Sequence, residues 1–133
     1  MNKLEGTIEN ITTSESLSII YVKVNDLKIT AIVIDTPETN NLLKIGNTLN
    51  LVFKETEVII GKGIHHQISM QNKFIGKISA IESKELLSKV SIATSVGTIN
   101  SIITTNAVKQ LALNIGSEVT AMIKTNEILL TEC

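Results

Sequence analysis

The chain has 133 residues, with 12 Lys and Arg against 13 Asp and Glu for a formal net charge of −1, and 43 % of its residues are apolar. This balance excludes a disordered chain and argues against a basic nucleic-acid binder, and no apolar run comes near the roughly 18 residues that a membrane span requires. A single cysteine, Cys133, excludes an intramolecular disulfide and a cysteine-rich zinc site, and the only aromatics are Tyr21, Phe53 and Phe74, too few to stack bases or planar cofactors. The opening stretch Met1–Asn10 lacks the apolar core of a signal peptide, so the cytoplasm is the expected location.

Displacing the sequence by 70 residues aligns Asn2–Ile60 with Asn72–Leu130 without a gap. Asn2-Lys3, Gly6, Ile8 and Ile11 fall on Asn72-Lys73, Gly76, Ile78 and Ile81, and Leu17-Ser18 falls on Leu87-Ser88. Leu43, Ile45, Gly46, Lys54 and Glu57 fall on Leu113, Ile115, Gly116, Lys124 and Glu127. About fifteen identities without a gap mark a tandem duplication. Residues 1–62 form the first copy, residues 63–67 a linker and residues 68–133 the second copy. Copies of this size sit near the lower limit of independent stability, so they are expected to share burial with each other or with further subunits.

In the first copy, Thr36-Pro37-Glu38-Thr39-Asn40-Asn41 has no apolar face and reads as a single turn with Pro37 at its start. The segment 61–67 between the copies carries two glycines, Gly61 and Gly63, and His65-His66. Adjacent histidines point in different directions and no carboxylate or cysteine accompanies them, so a solvated linker is the better reading than a metal site. In the second copy, alternation predicts strands over Lys73–Ile81 and Leu87–Thr94, with Val90 and Ile92 on one face. Val96-Gly97-Thr98 turns the chain into a third strand, Ile99–Thr104. Thr105 or Asn106 can cap a short helix reaching to about Ala112, with Val108, Leu111 and Ala112 on one face. A fourth strand, Glu118–Lys124, and a fifth, Glu127–Leu130, complete the copy. The expectation is all-β: two tandem OB-like five-stranded barrels, each with a short helix between strands 3 and 4.

The catalytic inventory is thin. No nucleophile elbow, metal-binding cluster or glycine-rich phosphate loop is present, so no enzyme activity is expected. Donor chemistry does gather near strand ends, in Ser69-Met70-Gln71, in Thr104-Thr105-Asn106 and in Lys124-Thr125-Asn126. Hydroxyls, amides, backbone N–H groups and a lysine suit an oxyanion, which only accepts hydrogen bonds. The same residue types also serve as ordinary turn and cap residues.

The segment Ile68-Ser69-Met70-Gln71-Asn72-Lys73-Phe74-Ile75-Gly76-Lys77-Ile78 resembles the opening of a Mop (molybdate-binding, molbindin, TOBE-like) domain. The stretch Ile99–Val108, then Leu111, Ile115-Gly116 and Ile123-Lys124, follows the later segments of that family. With both copies covered, the chain is similar to tandem di-Mop molbindins. The resemblance implies an OB-like domain that binds molybdate or tungstate in the cytoplasm for storage or homeostasis. It also implies a homo-oligomer, a trimer, with oxyanion sites at interfaces between Mop domains. Carried over by position, Ser69 is the serine donor, Met70 supplies a backbone N–H and Thr104 is the family threonine. Lys124, Thr125 and Asn126 hold the family's Lys-Ala-Ser positions, and Lys54 and Thr56 repeat part of that set in the first copy.

There are departures. Gln71 replaces the family arginine and offers a neutral amide in place of a charged fork, and Ala107 replaces the helix-start serine. The first copy opens Met1-Asn2 and has Ile34 and Pro37 where threonine and serine stand in the family. Two alternatives stand beside oxyanion storage. One is an oxyanion-sensing module acting through a partner regulator or transporter. The other is a single-stranded nucleic-acid binder, for which the chain supplies neither a basic groove nor aromatic platforms.

Overall fold

A computed structural model describes residues 1–133. Ten strands, one short helix and two 3₁₀ turns make up its elements. The first copy supplies β1 (Asn2–Ser14), β2 (Leu17–Val24), β3 (Leu27–Val33), β4 (Thr48–Phe53) and β5 (Ile59–Lys62). The second supplies β6 (Asn72–Ser83), β7 (Leu87–Thr94), β8 (Gly97–Thr104), β9 (Glu118–Ile123) and β10 (Leu129–Glu132). Period-two patterning explains the strands. In β1, Asn2, Leu4, Gly6 and Ile8 are buried while Lys3, Glu5 and Thr7 face solvent.

The strands form two antiparallel five-stranded sheets, ordered β10-β4-β1-β2-β3 and β5-β9-β6-β7-β8. The all-β expectation of two five-stranded units holds, with the fifth strand of each copy lying in the sheet of the other copy. Ile59 pairs with Met122 on β9, and Leu129 pairs with Val52 on β4. The 3₁₀ turns Glu55–Glu57 and Thr125–Glu127 follow β4 and β9 directly and redirect the chain from one sheet to the other. A small unit that cannot close its own edge gains backbone pairing by this exchange.

A helix forms only in the second copy. α1 (Thr105–Gln110) is capped by Thr104, whose hydroxyl accepts the Ala107 N–H at 3.0 Å. The expected cap was one or two residues later. The corresponding first-copy segment forms hydrogen-bonded turns, with the N–H groups of Thr39 and Asn40 both donating to the Thr36 carbonyl. It has no apolar face to hold a helix against the sheet.

One hydrophobic core spans both copies, from Leu4, Ile20, Leu51 and Phe53 to Phe74, Ile92, Val119 and Ile123. Phe53 and Phe74 stack across the join with ring centroids 6.3 Å apart. The predicted sharing of burial is thus met within a single chain. No helix is long and apolar enough to cross a membrane.

Candidate functional site

The site begins with Asn72, an almost fully buried side chain at the start of β6. Its amide lies against the open edge of β3, accepting the Thr30 N–H and donating to the Thr30 carbonyl, both at 2.8 Å. These are the groups that an edge strand would otherwise leave unpaired. The clasp draws the preceding residues, Ser69-Met70-Gln71, over the outer face of β2 and β3.

The second wall is the end of β9. Lys124 leaves the strand in extended conformation and leads into the 3₁₀ turn that begins at Thr125. The two walls enclose a depression of about 290 Å³ with Ile19, Tyr21, Thr30 and Ile32 as its floor and Ser69, Met70, Gln71, Lys124 and Thr125 as its rim. That is about ten times the ~30 Å³ share of a water molecule, enough for a small anion with some of its hydration. The cavity is thus built from both copies: its floor is first-copy strand and its rim is second-copy loop.

The donor chemistry of the rim is unused. Ser69, Met70 and Gln71 lie outside strand pairing, and their backbone N–H groups donate to no acceptor in the chain. No intrachain hydrogen bond engages the Ser69 and Thr125 hydroxyls or the Gln71 amide, and Lys124 has no acidic partner, since the chain's one ion pair joins the Met1 amine to Glu55. No Asp or Glu lines the cavity, although the chain carries 13 of them. A concave surface lined by residues with free N–H and O–H groups, one ammonium and no carboxylate suits an acceptor-only ligand of negative charge.

Of the residues expected from the sequence, Ser69, Met70, Gln71, Lys124 and Thr125 are brought together here. The other four do not line this cavity. Thr104 caps α1 through its hydroxyl, and Asn126 lies in the 3₁₀ turn one residue beyond the rim. Lys54 stands at the corresponding end of β4 and Thr56 lies within the 3₁₀ turn that follows it. The floor was missed from sequence. Its residues alternate along β2 and β3, a pattern that reads equally as ordinary strand packing, and only the inter-copy arrangement gives it a role. The repeated Asn2 and Asn72 were the available signal for the clasp.

The histidines of the linker hold no metal-binding cluster. The His66 ring instead covers Gly61 of β5, with Nε2 3.4 Å from the Gly63 carbonyl, while Lys73 donates to the His66 carbonyl at 2.9 Å. Cys133 is exposed; desolvation, and then its hydrogen bond to a Glu5 carboxylate oxygen 3.4 Å away, hold its thiol pKa above the ordinary range.

Residues 68–130, the second copy, match the family model of the TOBE domain. In structure the whole chain is similar to the cytoplasmic molybdate-binding protein ModG in a form with molybdate bound. The TM-score is 0.91 at 24 % identity, over 99 % of this chain and 96 % of that one, a likeness of fold. MopII from Clostridium pasteurianum also matches, at 28 % identity and a TM-score of 0.43, over 44 % of this chain and 90 % of that one. No curated protein sequence matches the chain.

Proposed function

We propose that this chain binds molybdate or tungstate in the cytoplasm, as a storage or homeostasis protein that performs no chemistry on the ion. The observation that carries the reading is the rim itself. Ser69, Met70 and Gln71, whose backbone N–H groups are unpartnered, line one cavity with Lys124 and Thr125 and with no carboxylate. A tetrahedral dianion offers four acceptor oxygens and needs several donors from different directions, which a single loop or strand end does not provide. The molybdate-binding activity of ModG, a protein of the same fold, supports this choice of anion.

The functional unit of this reading is a homo-oligomer, a trimer by resemblance to the family, with ions held where Mop domains meet. Exposed apolar side chains support association, because they recur in equivalent positions: Leu17 with Leu87, Ile45 with Ile115, and Ile59 with Leu129. Nucleic acid is not a ligand in this reading. One tyrosine in the cavity, with Lys28 over its ring at 4.8 Å, is no platform for successive bases.

Native mass spectrometry with and without molybdate tests the reading. The expected spectrum is a trimer that gains discrete molybdate adducts. Sulfate at equal concentration should give fewer, since a pocket sized for the larger anion leaves some donors too distant. Equal adducts with sulfate, or none with molybdate, would contradict it.

A further inference from the structure

The displacement by 70 residues that relates the copies also relates two corners of the molecule, and the structure repeats the frame of the site at the second. Asn2 clasps Asn100 on β8 as Asn72 clasps Thr30 on β3: its amide accepts the Asn100 N–H and donates to the Asn100 carbonyl, each at 2.8 Å. Lys54 leads into the first 3₁₀ turn as Lys124 leads into the second. A cation of the same kind thus stands beside the same clasp at both corners.

The chemistry inside the frame differs. The residue equivalent to Thr125 is Glu55, and its carboxylate accepts a hydrogen bond from the Met1 amine at 3.0 Å in the only ion pair of the chain. The residue equivalent to Ile19 of the floor is Lys89, whose charge helps to hold the Glu55 carboxyl below its ordinary range, after the larger effects of its own backbone N–H and the Met1 amine. Ser91, equivalent to Tyr21, donates to Asn100 Oδ1 at 2.7 Å. At the second corner the Met1 amine and the Ser91 hydroxyl are engaged within the chain, and a fixed negative charge stands there.

We propose that Glu55 acts as a built-in substitute for the anion: its carboxylate neutralises the second corner and excludes oxyanions from it, so that only one of the two equivalent corners takes an ion. The inference rests on the oxyanion reading of the first corner. Removing the carboxylate leaves the Met1 amine without its partner and Lys89 without its neighbouring counter-charge, and an external dianion then supplies it. Placing a carboxylate at Thr125 sets a like charge against the ligand at the first corner.

Equilibrium dialysis against molybdate, with the metal measured per chain, tests this on the full-length protein and three variants. Glu55→Thr should hold about one more ion per chain than the parent, and Thr125→Glu should lose the ion that the parent holds at this site. Glu55→Gln keeps the size of the side chain and removes its charge, so it should also gain an ion, which guards against a folding defect in Glu55→Thr. A parent that binds no molybdate overturns the functional reading and this inference with it. A parent that binds, with the same ion content in Glu55→Thr and Glu55→Gln, overturns the inference alone.

Discussion

At the scale of single residues, Lys124 and Asn72 divide the work of the site between charge and position. Lys124 is exposed at the cavity rim and has no acidic partner. Replacing it with methionine keeps the aliphatic stem and removes the one charge on the rim. Losing a hydrogen bond to a charged group costs roughly 1.5–3 kcal/mol, or about ten- to a hundredfold in affinity. Calorimetric titration of Lys124→Met with molybdate should show that loss, with stability unchanged within about 0.5 kcal/mol. Asn72 is the opposite case, because it is buried and lines no part of the cavity. Asn72→Ala leaves both the N–H and the carbonyl of Thr30 without their partner, so denaturant unfolding should register a loss of about 1–3 kcal/mol. Affinity should fall as well, since the rim residues Ser69 to Gln71 lose the anchor that follows them.

At the scale of elements, most of the strand pattern was legible and its assignment to sheets was not. Alternation located β7 at its observed ends and β6 and β9 nearly so; β7 buries every second residue, whereas in β9 the residues from Val119 to Ile123 are all buried and the sequence alternation marks the strand without marking a solvent face. The exchange of β5 and β10 left no local trace. Ile59-Ile60 and Leu129-Leu130 are short apolar segments that suit the edge of either sheet, and the destination depends on the 3₁₀ turns before them. The helix cap at Thr104 was misplaced because three consecutive residues, Thr104-Thr105-Asn106, all have capping side chains. The aligned Gly6 and Gly76 have a physical meaning the repeat alone did not disclose. A Cβ on Gly76 would lie 2.3 Å from the Ala93 carbonyl oxygen, a backbone atom of the paired strand β7, beside the irregularity in register between Ile78 and Ala80. Gly76→Ala should therefore destabilise by about 1–3 kcal/mol through forced strand separation, measured by thermal or chemical unfolding.

At the scale of the whole molecule, the duplication yields one folding unit. Each sheet takes an edge strand from the other copy, and a single core runs through Phe53 and Phe74. Residues 1–62 or 68–133 expressed alone should not form a folded monomer, whereas the complete chain should unfold in one cooperative transition. Sedimentation and far-ultraviolet circular dichroism of the separate halves check this, and a folded monomeric half would contradict the shared core. The same interlocking lets a cavity form with its floor in one copy and its rim in the other. The candidate donors were legible in the sequence because they cluster near strand ends and resemble a family pattern. Their meeting over β2 and β3 was not legible, because it depends on a clasp between residues 42 positions apart.

The central claim is the place of the anion, and tungsten makes it directly observable. A crystal of the protein grown with tungstate, measured at a tungsten absorption edge, should show an anomalous peak within hydrogen-bonding distance of the Ser69, Met70 and Gln71 N–H groups and of Lys124. An ordered cavity with no peak there, or tungsten bound only elsewhere on the chain, would contradict the account.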